Sequence, residues 1–63
     1  MTTAQFRKMA QDAERELQWT SAAYLWDKAI QSYPSGSGEL ARLDIEKMTK
    51  RMKAARVQAG MAV

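Results

Sequence analysis

The feature that most constrains this chain is a single break in an otherwise continuous helical pattern. The break covers residues 33–38, where Pro34 is followed by alternating serine and glycine. Proline cannot continue a helix, and glycine and serine favour turns. On both sides of the break, apolar residues recur at helical spacing, strand-like alternation does not occur and β-branched residues are few. The sequence therefore predicts an all-α fold.

Apolar periodicity predicts one domain over residues 1–63, with helices at about 3–17, 20–33 and 39–58. Thr2 and Gln5 fit a capping box at the start of the first helix. The apolar stripe of that helix spans about 100°, which suits packing on one neighbour. The second helix is apolar over about 160°, which suits two neighbours. We therefore expect the second helix to lie between the first and the third.

The third predicted helix is longer than the others and carries a seam with heptad-like spacing. Twenty residues make about 30 Å of helix, against about 21 Å for fourteen. We expect the extra length to leave Met48 and Met52 partly exposed unless a second chain covers them. These methionines then pack either on the other two helices or across a dimer axis.

The chain is small and has no disulfide bond or Cys/His metal site to stabilise it. It has 63 residues, no cysteine and no histidine, so disulfides and Cys/His metal sites are excluded. A single core of this size supplies about 3–5 kcal/mol, which makes a homodimer or a stabilising partner the default expectation. No secretory signal and no apolar run of about 20 residues is visible, so we expect a cytoplasmic protein with no membrane contact. We expect no cofactor and no metal.

The positive charge is concentrated in the last third of the chain. Ten Lys and Arg against seven Asp and Glu give a net charge of +3. A run without an acid forms the predicted basic surface, which is either a solvated face or a strip for an acidic protein or a phosphate backbone: Lys47, Lys50, Arg51, Lys53 and Arg56. Base-specific reading of nucleic acid is not expected, because the N-terminal end of this helix is acidic. Non-specific contact with nucleic acid stays open.

The first two predicted helices resemble a single tetratricopeptide repeat, a helical hairpin in which small residues allow close approach and aromatic residues fill the space beside them. The spacing that carries the resemblance ends in Pro34, and it predicts the following core: Phe6, Met9, Ala10, Ala13, Trp19, Ala22, Trp26 and Ala29. Leu17 stands where a turn glycine is usual. If Leu17 adopts a left-handed conformation, the cost is roughly 1–2 kcal/mol. One repeat cannot form a repeat array.

The hairpin also resembles the AraC-negative-regulator (ANR) family of short bacterial and mobile-element proteins. The matching residues are Ala10-x-x-Ala13-Glu14, then Trp19-x-x-Ala22-Ala23-x-Leu25-Trp26-x-Lys28-Ala29. The resemblance implies binding to AraC-type transcription activators, with loss of their dimerisation or DNA binding. The PerC-like group of small positive regulators is similar in its Trp-x-x-Ala-Ala-x-x-Trp block. Convergent packing of a hairpin is the remaining explanation of the block.

Protein–protein interaction is accordingly the predicted function, and no enzymatic activity is expected because nucleophile–base and phosphate-loop motifs are missing. Two alternatives stay open, a DNA- or RNA-binding regulator that uses the basic helix, and a mobile-element accessory protein that occupies a host protein. The predicted partner or dimer surface consists of Leu40, Leu43, Met48, Met52 and Tyr24. Within it, Leu40 and Leu43 lie on a second face of the third helix, and Tyr24 points to solvent.

Overall fold

A computed structural model describes residues 2–34 and 38–61 and confirms the all-α fold. The helices of this part of the chain are α1 (Thr3–Arg15), α2 (Trp19–Gln31) and α3 (Glu39–Gln58). The α2 helix packs against both α1 and α3. It therefore occupies the middle position that its wide apolar face predicts. Residues 35–37 of the predicted break lie outside the described residues.

The start of α1 has the capping box that the sequence predicts. The Thr2 Oγ1 atom accepts from the Gln5 backbone N–H at 3.2 Å, and the Thr2 backbone N–H donates to Gln5 Oε1 at 2.7 Å. Both bonds satisfy amide groups that have no partner within the helix. At the same end of the hairpin, Thr3 Oγ1 lies 2.6 Å from Ser32 Oγ, which ties the beginning of α1 to the end of α2.

The turn between α1 and α2 requires a left-handed residue, and Leu17 provides it with φ 60°. The Gln18 N–H donates to the Ala13 carbonyl and the Leu17 N–H donates to the Glu14 carbonyl, which is the Schellman pattern of helix termination. For this reason α1 ends at Arg15 and not at residue 17 as expected. The α2 helix likewise ends at Gln31, not at 33.

The α3 helix ends in the same hydrogen-bond pattern, but there the left-handed residue is a glycine. Gly60 has φ 75°, the Met61 N–H donates to the Arg56 carbonyl, and the Gly60 N–H donates to the Val57 carbonyl. A glycine has no Cβ to clash in this conformation, whereas Leu17 pays the steric cost.

Alanine dominates the core of the described residues. The buried cluster consists of Ala10, Ala13, Ala22, Ala23, Trp26, Ala29, Met48 and Ala55. Phe6 and Trp19 are half-buried against this cluster. The predicted core is wrong at Met9, which is 41% exposed. Met9 lies at the margin of the α1 stripe, and α2 is the described helix that packs closely on α1, so the margin is left partly uncovered by the described helices.

Candidate protein-interaction surface

The methionines of α3, Met48 and Met52, pack against the core and do not form an exposed binding surface. Met48 is 2% exposed, and Met52 is half-buried against the same core. The expectation that Met48 is left bare for a second chain is therefore wrong. Because α3 lies along α2, the side of α3 that carries these methionines is covered within one chain.

The two leucines near the start of α3 are exposed. Leu40 is 83% exposed and Leu43 is 52% exposed. Ala41, Met48 and Ala55 are the buried residues of α3, and Leu43 lies on the opposite side of the helix. A leucine that is exposed to water on a helix is held in a defined position, because a helix positions its side chains more precisely than a loop does. Such a side chain is a candidate anchor for a partner.

The sequence analysis missed Val57, which extends this apolar surface towards the end of α3. Val57 is 61% exposed and follows Leu43 at fourteen residues, with Lys50 midway at seven. At 100° per residue, Leu43, Lys50, Ala54 and Val57 fall within an arc of about 60°. Lys47 lies between Ala54 and Leu40 on the same side of the helix. We name the outer α3 face by its residues: Leu40, Leu43, Lys47, Lys50, Ala54 and Val57. The seven-residue spacing is the signal that identifies Val57.

Tyr24 is exposed but belongs to a different surface. Tyr24 is 60% exposed on α2, and Lys28 Nζ lies 5.4 Å from the centre of its ring, a cation–π contact. Tyr24 lines a groove of about 230 Å³ between α2 and the end of α3, together with Arg56 and Met61. The predicted partner residues therefore fall into three places, namely the core, this groove and the outer α3 face.

The predicted basic surface is divided by packing. Lys47, Lys50 and Lys53 are exposed. Arg51 instead lies over the Trp26 ring, with Cζ 5.4 Å from the ring centre, and its Nη1 donates to Glu14 Oε1 at 3.4 Å.

Arg56 is half-buried, and its Nε finds no hydrogen-bond acceptor among the residues described. The positive charge that faces solvent on α3 thus comes from Lys47, Lys50 and Lys53, together with the exposed Arg42 and Arg51.

A charged cluster joins α1 and α3, and sequence reasoning did not anticipate it. The Asp44 Oδ2 atom accepts from Arg7 Nη2 and from the Tyr33 hydroxyl, and Arg7 Nη2 also lies 3.5 Å from the Tyr33 oxygen. The hydrogen bond from Tyr33, followed by that from Arg7, lowers the pKa of Asp44. The hydrogen bond to Asp44, followed by desolvation, raises the pKa of Tyr33.

This cluster borders a cleft of about 140 Å³ between α1 and α3, with the buried Trp26 and Met48 in its wall. Arg7 and Arg51 line it and both are paired with carboxylates, whereas Lys47 in the described residues has no ion pair. Because Arg7 and Arg51 each pair with a carboxylate across α1 and α3, the border of this cleft is a structural joint between the two helices.

Further observations limit the class of site. In residues 2–34 and 38–61, no cluster of acidic, histidine or cysteine side chains is arranged to hold a metal ion. Among these residues, none of the helices has the length and apolar character needed to cross a bilayer. No family model, curated protein or solved structure matches this chain. Its function must be inferred from its own surfaces.

Proposed function

We propose that this chain is a small non-enzymatic regulator that binds a transcription factor of the AraC type through the outer α3 face. The observation that carries the proposal is the pair of exposed leucines, Leu40 and Leu43, on a helix whose opposite side is fully engaged in the core. Association buries such side chains, and each buried leucine favours binding by about 1.5–3 kcal/mol before ordering costs.

The hairpin supports the proposal by explaining how α3 is held. The alanines of the ANR-like signature and its Trp26 are buried here, whereas its charged residues, Glu14 and Lys28, are partly exposed. The buried part of the signature specifies the hairpin scaffold, and a partner must be bound by residues that are exposed. The outer α3 face carries three exposed apolar side chains that the signature does not contain, Leu40, Leu43 and Val57, so it is the natural place for recognition of a partner.

The chemistry of the titratable cluster supports a binding role over a catalytic one. The lowered pKa of Asp44 makes that carboxylate a poor proton acceptor. The raised pKa of Tyr33 makes that hydroxyl a poor proton donor. The hydrogen bond between Tyr33 and Asp44 is the main cause of both pKa shifts, and both shifts move the groups away from the range in which general acid–base catalysis at neutral pH is efficient.

The test is a titration of a purified AraC-type activator with this chain and with Leu43→Asp. We expect Leu43→Asp to weaken binding at least about tenfold, because it places a charge in the centre of the apolar contact. Tyr24→Asp is the matched control, since it makes the same change at an exposed ring on a different surface. The control should leave the dissociation constant within about twofold of that of the wild type.

Equal losses in the two variants would contradict the assignment of the face, and absence of binding by the wild-type chain to AraC-type activators would contradict the proposed function. Far-ultraviolet circular dichroism of each variant verifies that α-helix content is unchanged. Because both positions are exposed, neither substitution removes a core contact.

A second candidate function, non-specific binding to nucleic acid, is favoured by the exposed Lys47, Lys50 and Lys53. If these lysines contact phosphates, the logarithm of the binding constant falls with the logarithm of salt concentration with a slope of about −2 to −3. A mobility-shift series over salt measures this slope. A slope near zero excludes the function, and Lys8→Glu on α1 serves as a control charge change.

A further inference from the structure

The cleft between α1 and α3 lies between two ion pairs that join these helices. Arg7 of α1 pairs with Asp44 of α3, and Arg51 of α3 pairs with Glu14 of α1. Both pairs join residues 37 apart, so the helices run parallel, and about 10 Å of helix separates one pair from the other. Both arginines line the cleft, which therefore has a guanidinium at each end.

The interval between these ion pairs contains polar side chains that are not bonded across it. Gln11 lines the cleft from α1 and Lys47 lines it from α3, and both are exposed. Neither side chain has a hydrogen bond or an ion pair within the described parts of the chain. The hydrogen bond from Tyr33 is the main cause of the lowered pKa of Asp44, and the charge of Lys47 contributes to it. The Lys47 ammonium therefore acts on the carboxylate at one end of the cleft without an ion-pair partner of its own.

The charged groups around the cleft leave one positive charge in excess. Three cations and two carboxylates line it or border it: Arg7, Lys47, Arg51, Asp44 and Glu14. Each carboxylate is paired with an arginine, so the excess charge is that of Lys47. Among the described residues, α2 adds no charged side chain to the lining. A singly charged anion is therefore the ligand that complements the cleft.

The wall of the cleft also contains a hydrogen-bond donor that is not used. Trp26 lines the cleft, and its Nε1 atom is buried without an acceptor among the described residues. Buried donors in proteins are nearly always bonded, so an acceptor that enters the cleft is the group that this indole lacks. The cleft volume of about 140 Å³ admits a carboxyl group with a few waters, and a carboxylate offers two acceptor oxygens.

Lys47 connects the cleft to the outer α3 face, because it belongs to both. Leu43 lies one helical turn before Lys47 on the same side of α3, so a partner that covers this leucine also lies beside the cleft. We propose that the cleft takes the carboxylate of an aspartate or glutamate side chain of the protein that binds the outer α3 face. This inference rests on the proposed function, and it adds an acidic residue to what the partner must present.

Acetate tests the carboxylate site with no partner present. We expect titration at constant ionic strength to shift the indole N–H resonance of Trp26 in a saturable way, with a dissociation constant on the order of 10 mM. Two-dimensional nuclear magnetic resonance measures the shift, and Trp19→Phe assigns the resonance by leaving one indole in the chain. Acetamide has nearly the same shape without the charge, and it should give no saturable shift.

Substitutions at exposed positions separate the cleft from net charge. Gln11→Glu should abolish acetate binding, because it places a carboxylate of the chain itself in the cleft and cancels the excess charge. Lys47→Ala should raise the dissociation constant of acetate at least about fivefold. The matched controls Gln18→Glu and Lys50→Ala change exposed residues outside the cleft, and each should alter this constant by less than about twofold.

The identity of the occupant is tested with a purified AraC-type activator. Gln11 lines the cleft from α1 and is not part of the outer α3 face, so Gln11→Glu disturbs the cleft and leaves the leucines of the face unchanged. This variant should raise the dissociation constant of the activator at least about tenfold, because its new carboxylate repels that of the partner. Gln18→Glu should raise it by less than about twofold.

The two experiments distinguish failure of the inference from failure of the proposed function. The carboxylate site is overturned if acetate gives no saturable shift, if acetamide shifts the Trp26 resonance equally, or if the controls lose as much affinity as the cleft variants. Activator binding that tolerates Gln11→Glu would overturn the occupant. Absence of activator binding to the wild type would contradict the proposed function and the occupant, whereas the acetate titration decides the site in either case.

Discussion

The two sides of α1 are held to the rest of the molecule in different ways. Against α2 the contact is apolar and close, with Ala10, Ala22 and Ala29 at 0% exposure. Towards α3 the contact is made by long polar side chains, Arg7 to Asp44 and Glu14 to Arg51. Each of these pairs joins residues 37 apart in the chain, so α3 runs parallel to α1.

The difference indicates a division of labour between stability and orientation. Close apolar packing contributes most of the folding free energy, because no methyl group in the alanine seam meets water. Partly exposed ion pairs contribute little energy but hold a specific geometry. We infer that the α1–α2 contact determines whether the chain folds, and that the α1–α3 pairs determine how α3 and its outer face are aligned.

The largest expected effect on stability comes from a substitution in the apolar core. Trp26→Ala removes a 1% exposed indole and should cost about 3–5 kcal/mol, which matches the whole stability expected of a core this small. We expect the variant to be largely unfolded by circular dichroism at 25 °C. Trp19→Ala, at a half-buried ring, should retain helix and serves as the control.

Overpacking the same seam should have the next largest effect. Ala22 is 0% exposed, so Ala22→Leu forces α1 and α2 apart at a cost of about 1–3 kcal/mol. Urea denaturation followed by circular dichroism measures the change. Ala4→Leu adds the same atoms at an exposed position of α1 and should alter stability by less than about 0.5 kcal/mol.

The turn between α1 and α2 is strained at Leu17, and a substitution can remove the strain. Leu17 has φ 60°, and its side chain is 68% exposed, so Leu17→Gly removes strain without removing a core contact. The steric gain, less the greater entropy that glycine has in the unfolded chain, should raise the unfolding free energy by about 0.5–1 kcal/mol.

At the other Schellman turn the reverse exchange, Gly60→Leu, should lower stability by a similar amount. Nothing lies within 4 Å of the position of an added Cβ at Gly60, so only its φ of +75° opposes the substitution. A loss in Leu17→Gly would contradict the assignment of strain to the hairpin turn.

The smallest expected effect on stability comes from removing the polar contact between α1 and α3 at Asp44, and this effect depends on pH. The pKa of Asp44 in the folded chain lies below its ordinary value of 3.8, so its stabilisation is present above pH 3.8 and is lost as pH falls through the folded-state pKa. Asp44→Asn should therefore cost at most about 1 kcal/mol at pH 7, after allowance for solvent screening.

The difference between Asp44→Asn and the wild type should shrink towards zero as the pH falls below 3.8. Urea titrations at pH 7 and at a pH below 3.8 measure this difference in unfolding free energy. Glu16→Gln is the control at an exposed carboxylate. A difference that does not change with pH would contradict the role of ionised Asp44.

Sequence periodicity was sufficient for the hairpin and for the middle position of α2, because both follow from the width of apolar stripes. The conformation of the turn stayed open at the sequence level, since the tetratricopeptide pattern has a glycine where this chain has Leu17, and the structure shows that Leu17 adopts the left-handed conformation. Sequence periodicity failed for Met48, because helix length says how far α3 can reach but not how fully a neighbouring helix covers it.

The Arg7–Asp44–Tyr33 cluster was not predicted for a different reason. Its members come from three parts of the chain, and their meeting depends on how the helices cross, which no spacing within one helix encodes. Val57 was missed although its signal was present, since its seven-residue relation to Leu43 is visible in the sequence.

Trp26 also gives the molecule a built-in optical reporter. Among the described residues it is the largest side chain that is fully buried, and Arg51 over its ring is bonded to Glu14 of α1. Its fluorescence should respond whenever any of the helices separates from the others, whereas Trp19, half-buried at the first turn of α2, should sense the hairpin end alone. A spectroscopist can therefore follow melting of the whole bundle from one indole, without attaching a dye.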